Sequence, residues 1–246
     1  MLKNSPSTHI ILAIETSSEQ ASVALLINQQ LIQRVASGVT THSQSILPML
    51  QEMLQEAGIA LSDCSAIAFG SGPGSFTGVR TACGVVQGLA FGANLPVIPM
   101  VTLLALAQSC RESSEANDVL CALDARMGEV YWAQYRFDSA LQTWRTVIEP
   151  TLSAPALVVP EMTAGLQLIG NGFAAYADQF TLPAELINAA VNTVPQAQAV
   201  ARLALVELLA GRTFNPDQAQ PLYLRNKIAL TIAERAEQSA QAAASK

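Results

Sequence analysis

Few residues of this chain have the types and spacing that chemistry requires. There are two histidines, His9 and His42, in 246 residues. A metal pair carried on a helix needs histidines at i and i+4, so that both rings leave the same face. The i+4 position from His42 is Ile46, so that pair cannot form. Two acids, Glu15 and Asp124, follow apolar runs that read as strands. A carboxylate at a strand end either holds a magnesium-bound water or favours a turn, and both readings stay open. Asp124 and Glu129 flank a tight turn and do not suit a glycosidase acid pair; an ion pair with Arg126 is the plainer expectation. No nucleophile, base and orienting group can be assembled from what remains.

The stretch Gly70-Ser-Gly-Pro-Gly-Ser-Phe-Thr-Gly-Val-Arg80 is the strongest local signal. It follows an apolar run at 66–69 and precedes a helical pattern, which makes it a strand, a glycine loop and a helix. Ser75 or Thr77 can cap that helix, and its first turn carries partial positive charge suited to anions. A phosphate or other anion would then meet Ser75 and Thr77, with Thr16 and Ser17 of the first strand's end as further candidates. A tight structural turn is the competing reading. The loop lacks the Gly-Lys-Ser/Thr ending of a P-loop, since Val79 follows Gly78. Counted from Gly70 and Gly72, the third glycine of a dinucleotide fingerprint would fall on Ser75; a nucleophile elbow fails because Phe76 stands where its serine belongs.

The elements that must position these residues read as follows. Strands at 10–14, 21–27 and 31–36 form a meander, and a helix at 43–57 carries the stripe Ile46, Leu50, Met53 and Ala57, with Pro48 inside it and Gly58 ending it. The second helix, 77–93, places Gly84, Gly88 and Gly92 in one row that begins at Arg80. Each such glycine costs about 1 kcal/mol of helix propensity relative to alanine, so close approach of another backbone is expected to offset it. That backbone belongs either to this chain's own sheet and first helix or to a partner. Thr102 is expected to cap a helix to about Cys110, and the polar run 111–117 suggests a boundary between lobes 1–110 and 111–246. A strand at 119–125, turned by Met127 and Gly128 into another at 129–135, mirrors the first hairpin and suggests a duplicated fold. Beyond it lie a strand at 166–169, an amphipathic helix at 195–210, a short extended segment at 221–225, and an Ala- and Gln-rich tail read as a terminal helix that frays.

Composition narrows the partners. Half the residues are hydrophobic, enough for a large core, and 13 Lys and Arg against 19 Asp and Glu give a net charge of -6. Such a surface does not grip a nucleic-acid backbone by itself. The four cysteines, Cys64, Cys83, Cys110 and Cys121, show no Cys-x-x-Cys spacing and suit buried positions in a reducing compartment. The apolar run at 10–14 is too short for a signal-peptide core, and no run is long enough to span a membrane, so the expectation is a cytoplasmic protein.

Five blocks together resemble one family. Ile14-Glu-Thr-Ser17, Thr41-His-Ser-Gln44 with Pro48, Gly70 to Arg80, Asp124 to Trp132 and Pro221-Leu-Tyr-Leu-Arg225 are similar to the bacterial tRNA threonylcarbamoyladenosine biosynthesis family TsaB, also called YeaZ, over nearly the whole chain to about Lys227. The resemblance implies an α/β, two-lobed, actin-like and sugar-kinase-like (ribonuclease-H-like) fold with duplicated mixed sheets, related to the catalytic paralogue TsaD. In that paralogue a His-x-x-x-His helix binds metal and a glycine-rich motif of the second lobe holds nucleotide. Here Ile46 replaces the second histidine, and Gly170-Asn171-Gly172 is a fragment of the nucleotide motif. The implied role is a non-catalytic platform that docks TsaD through its first two helices and works with the small ATPase TsaE. Leu47, Leu50, Leu54, Arg80, Gly84, Gly88 and Gly92 are the expected docking residues, and the same face would make a homodimer. The isolated chain would need no cofactor and no metal; ATP or ADP would sit at the shared interface, and tRNA would be met only indirectly. An independent metallopeptidase or ATPase of the same fold is the alternative.

Overall fold

The computed structural model describes residues 8–36 and 42–225. Strands β1 (Ile10–Glu15), β2 (Ser22–Ile27) and β3 (Gln30–Val35) form the expected meander, and helix α1 (His42–Ala57) follows. Strand β4 (Ala66–Gly72) runs through the glycine loop into α2 (Phe76–Ala93), then come β5 (Val97–Val101) and α3 (Thr102–Ser114). The first sheet has the order β3-β2-β1-β4-β5, with β4 parallel to β1.

The second lobe repeats this plan. Strands β6 (Asp118–Arg126), β7 (Glu129–Asp138), β8 (Thr143–Ser153) and β9 (Leu166–Ile169) make a sheet of order β8-β7-β6-β9. Its β6–β7 hairpin is antiparallel and β9 is parallel to β6, the same relations as in β3-β2-β1-β4. Short helices α4 (Asn171–Ala175) and α5 (Ala184–Asn188) follow, and then α6 (Ala197–Leu209).

Alternation along β1 sets the layers, because successive strand side chains leave opposite faces. Ile10, Leu12 and Ile14 face α1 and α2 and pack with Ile46, Leu50, Met53 and Val86. Ile11 and Ala13 face the other way, onto Ala197, Val200, Ala201 and Ala204 of α6. The lobe division expected at 111 therefore separates the two sheets but not the two halves of the chain. Helix α6 returns to cover the first sheet, Phe214 bridges to Val97, and Ala219 enters the first core. Small alanines let α6 approach the sheet closely, which a composition reading of the C-terminal half does not reveal.

The expectation for α3 needs correcting. Thr102 is the first residue of α3 and makes no capping bond, and α3 continues through the polar run as far as Ser114. The tail beyond residue 225, read as a fraying helix, lies outside the described residues. No helix among the described residues is long and apolar enough to cross a membrane.

Candidate functional site

The glycine loop is stitched to the end of β1. The Ser75 N–H donates to the Ser17 carbonyl at 2.7 Å, and the Thr16 hydroxyl donates to the Gly78 carbonyl at 2.7 Å. Side chains at Gly74 and Gly78 would start on the carbonyl oxygens of Ser17 and Thr16, so only glycine permits this approach. Ser75 caps α2, its hydroxyl accepting from the Gly78 N–H at 3.3 Å. Thr16 is fully buried with its hydroxyl committed to Gly78, so it braces the loop and is not presented to an anion. Ser17 is also buried, and Thr77 is exposed on the helix.

Glu15 is fully buried beneath the loop. One carboxylate oxygen accepts the Ser17 N–H at 2.6 Å, and the other lies against Gly70 with no hydrogen-bond partner among the described residues. Burial pushes the Glu15 carboxyl above its usual range, with the side chain and N–H of Ser17 and the N–H of Thr16 acting in the opposite direction. Asp124, the matching acid of the second lobe, is held in a turn: Oδ1 accepts from the Arg126 N–H at 2.7 Å and from the Tyr176 hydroxyl at 2.8 Å, and Oδ2 pairs with Arg126 at 2.9 Å. Glu129 pairs instead with Arg225 at 2.6 Å. Among the described residues no three His, Cys, Asp or Glu side chains stand close enough to share a metal ion.

Between the lobes lies a cleft of about 470 Å³, bordered by Ser17, Ser75, Asp124, Asn171, Tyr223 and Arg225 among others. The segment 221–225 straps across it. The Leu222 N–H donates to the Ser71 carbonyl at 2.7 Å on the first lobe, and Arg225 donates to the Ala125 carbonyl at 3.1 Å on the second. Gly170 and Gly172 press on the backbone of Ala122, so packing of α4 on β6 accounts for them.

The outer face of α2 is built differently. Gly84, Gly88 and Gly92 are exposed, and a side chain added at any of them would meet none of the described residues within 4 Å. Among the described residues, then, no backbone of this chain comes close enough to offset their cost. Phe91 stands beside the row at 83% exposure, and Leu47 of α1 is 49% exposed. Arg80 heads the row. Its guanidinium lies 3.6 Å over the Phe76 ring, and its Nε donates to the Tyr223 hydroxyl at 2.7 Å.

Residues 26–246 match the family model of TsaD, tRNA N6-adenosine threonylcarbamoyltransferase. The tRNA threonylcarbamoyladenosine biosynthesis protein TsaB of Haemophilus influenzae is 39% identical over 226 residues, covering 89% of this chain and 94% of that protein. Its Escherichia coli namesake is 37% identical over 222 residues, covering 89% and 96%. The chain belongs to the TsaB family. Among solved structures, YeaZ from Pseudomonas aeruginosa is 38% identical with a TM-score of 0.80, covering 88% of this chain and all of that one. The two-lobed, actin-like architecture is thus that of TsaB and YeaZ relatives.

Of the docking residues expected in this TsaB-family chain, the structure brings Arg80, Gly84, Gly88 and Gly92 onto one exposed face, with Leu47 exposed on α1. Leu50 is corrected: at 3% exposure it belongs to the core, because the helix stripe it shares with Ile46 and Met53 faces the sheet. Leu54 is half-buried against that core. Of the anion candidates, Ser17 and Ser75 border the cleft, while Thr16 and Thr77 are not part of its lining. Sequence reasoning assigned no role to Phe76, Phe91 or Tyr223. Spacing held the signal for two of them, since Phe76 lies one turn before Arg80 and Phe91 one turn after Gly88.

Proposed function

We propose that this TsaB-family chain is a non-catalytic platform in tRNA threonylcarbamoyladenosine biosynthesis, docking a TsaD-type transferase on the outer face of α2 beside α1 and acting together with a TsaE-type ATPase. The observation that carries this reading is the bare row Gly84, Gly88 and Gly92: three glycines at a cost of about 1 kcal/mol each, with none of the described residues within 4 Å of a side chain placed there. A helix that keeps such a face open gains from it when another backbone comes close. Names of the relatives support the pathway, and the match to the transferase model supports a partner of the same fold. With the partner absent, the same face pairs two copies of this chain. In this reading ATP or ADP belongs to the shared interface, tRNA is met through the partner, and the complex works in the cytoplasm.

Reconstitution tests it. The transferase, the ATPase, tRNA and a threonylcarbamoyl donor are combined with wild-type chain or with Gly88→Leu, and modified adenosine is read by mass spectrometry of digested tRNA. The expected result is modification that requires this chain and drops at least tenfold with Gly88→Leu. Modification by this chain without the transferase, or full activity of the variant, would overturn the proposal.

A further inference from the structure

Arg80 is the only charged side chain in the 18 residues of α2. It stands at one end of the glycine row, and Gly92 lies about 18 Å away along the helix at 1.5 Å per residue. Its surroundings hold it still: the guanidinium stacks 3.6 Å over Phe76 and 5.5 Å from the Tyr223 ring centre, and Nε donates to the Tyr223 hydroxyl. What this leaves open is the fork of the two Nη groups, which make no hydrogen bond or ion pair among the described residues. Arg111 is also stacked, 3.6 Å over Phe137, but its fork is taken up by Asn117, and most other described arginines are ion-paired. Arg34, Arg126, Arg136, Arg202, Arg212 and Arg225 each pair with a carboxylate of this chain.

We infer that Arg80 is a specificity-determining anchor that receives a carboxylate of the docked partner, side on, through its free Nη edge; this rests on the docking reading above. A planar guanidinium fixed on two rings matches two carboxylate oxygens, and fixing it beforehand lowers the entropy lost on binding. The rest of the face explains why one charge matters. Bare glycine backbone gives close packing but little to distinguish one register of a partner helix from the next. A single cation at one end and the exposed Phe91 at the other give the face a direction, so a partner helix must bring an acid to the Arg80 end and an apolar seat to the Phe91 end. A second copy of this chain brings no acid on its α2, and the exposed acids of its α1, Glu52 and Glu56, already pair with its own Arg34, so the anchor is better met by a transferase-type partner that supplies a free carboxylate.

The test is calorimetric titration of this chain with its TsaD-type relative at low and high salt, using wild type, Arg80→Ala, Arg80→Lys, Tyr223→Phe and Gly88→Leu, each first checked for a wild-type thermal midpoint. Arg80→Ala is expected to weaken binding tenfold or more and to flatten its salt dependence. Arg80→Lys keeps the salt dependence but recovers only part of the affinity, since an ammonium lacks the fork. Tyr223→Phe falls between Arg80→Lys and wild type. Wild-type affinity and salt dependence in Arg80→Ala, with binding lost in Gly88→Leu, would overturn the anchor and leave the docking face standing. Weakened binding with unchanged salt dependence would also overturn it, since packing alone would then explain the loss. No binding by wild type would remove the docking reading itself, and the anchor with it.

Discussion

Thr16 and Gly78 meet through both backbone and side chain: the Thr16 hydroxyl donates to the Gly78 carbonyl at 2.7 Å, and the Thr16 carbonyl occupies the space a side chain on Gly78 would need. Gly84, six residues further along the same helix, has open space instead. The two glycines therefore predict opposite outcomes for one substitution. Gly78→Ala should cost about 1–3 kcal/mol, because backbone must move to make room. Gly84→Ala should gain up to about 1 kcal/mol from helix propensity. Urea denaturation midpoints of the two variants check this, and a shift of the same sign in both would contradict it.

Glu15 predicts a pH dependence. Burial raises its carboxyl above the usual value of 4.5, so over the pH window upward from 4.5 the folded chain keeps a proton that the unfolded chain releases. Stability contributed by this group is thus present below 4.5 and falls as pH rises toward the folded value. Glu15→Gln removes that contribution. The stability of wild type relative to Glu15→Gln should decline with rising pH above 4.5 and then level off. A difference that is flat, or that grows in favour of wild type, would contradict the assignment.

Asp118 holds the second lobe's loop to its sheet. Buried at 6% exposure, it accepts from Gln134 at 2.9 Å, from Arg136 at 2.9 Å and from Thr163 at 2.8 Å. Asp118→Ala leaves the partly buried Arg136 and the fully buried Gln134 with Glu161 as their remaining acceptor and should cost about 2–3 kcal/mol. The measurement is equilibrium unfolding, accompanied by hydrogen exchange at Glu161, whose N–H is held by Gln134 at 2.8 Å. Unchanged stability and protection would show that the network adds nothing.

Much of the fold was legible because it rests on strong periodicities. The first meander, α1, the strand that feeds the glycine loop, α2 and the β6–β7 hairpin all appear close to their expected bounds. Strand β8 was not read: it is an edge strand, half-exposed, with Pro150 inside it, and an edge tolerates proline and polar residues that hide a strand signal. The return of α6 to the first lobe was not legible either, since it depends on small alanines fitting a distant sheet face. At the site, spacing alone put Arg80 and the three glycines on one row, but whether that row faced inward or outward needed the structure. Leu50 shows the limit from the other side, because a leucine in an amphipathic stripe reads the same whether it meets a core or a partner. Tyr223 reaches Arg80 across 143 residues of sequence, a contact that no local pattern carries.

The most direct test of the platform role is light scattering after size exclusion of this chain alone, mixed with its TsaD-type relative, and repeated with Gly88→Leu. The expected result is a homodimer that gives way to a heteromeric complex, with both assemblies lost in the variant while its thermal midpoint stays at or above that of wild type. A wild-type chain that remains monomeric with the transferase present, or a Gly88→Leu chain that still forms the complex, would contradict it.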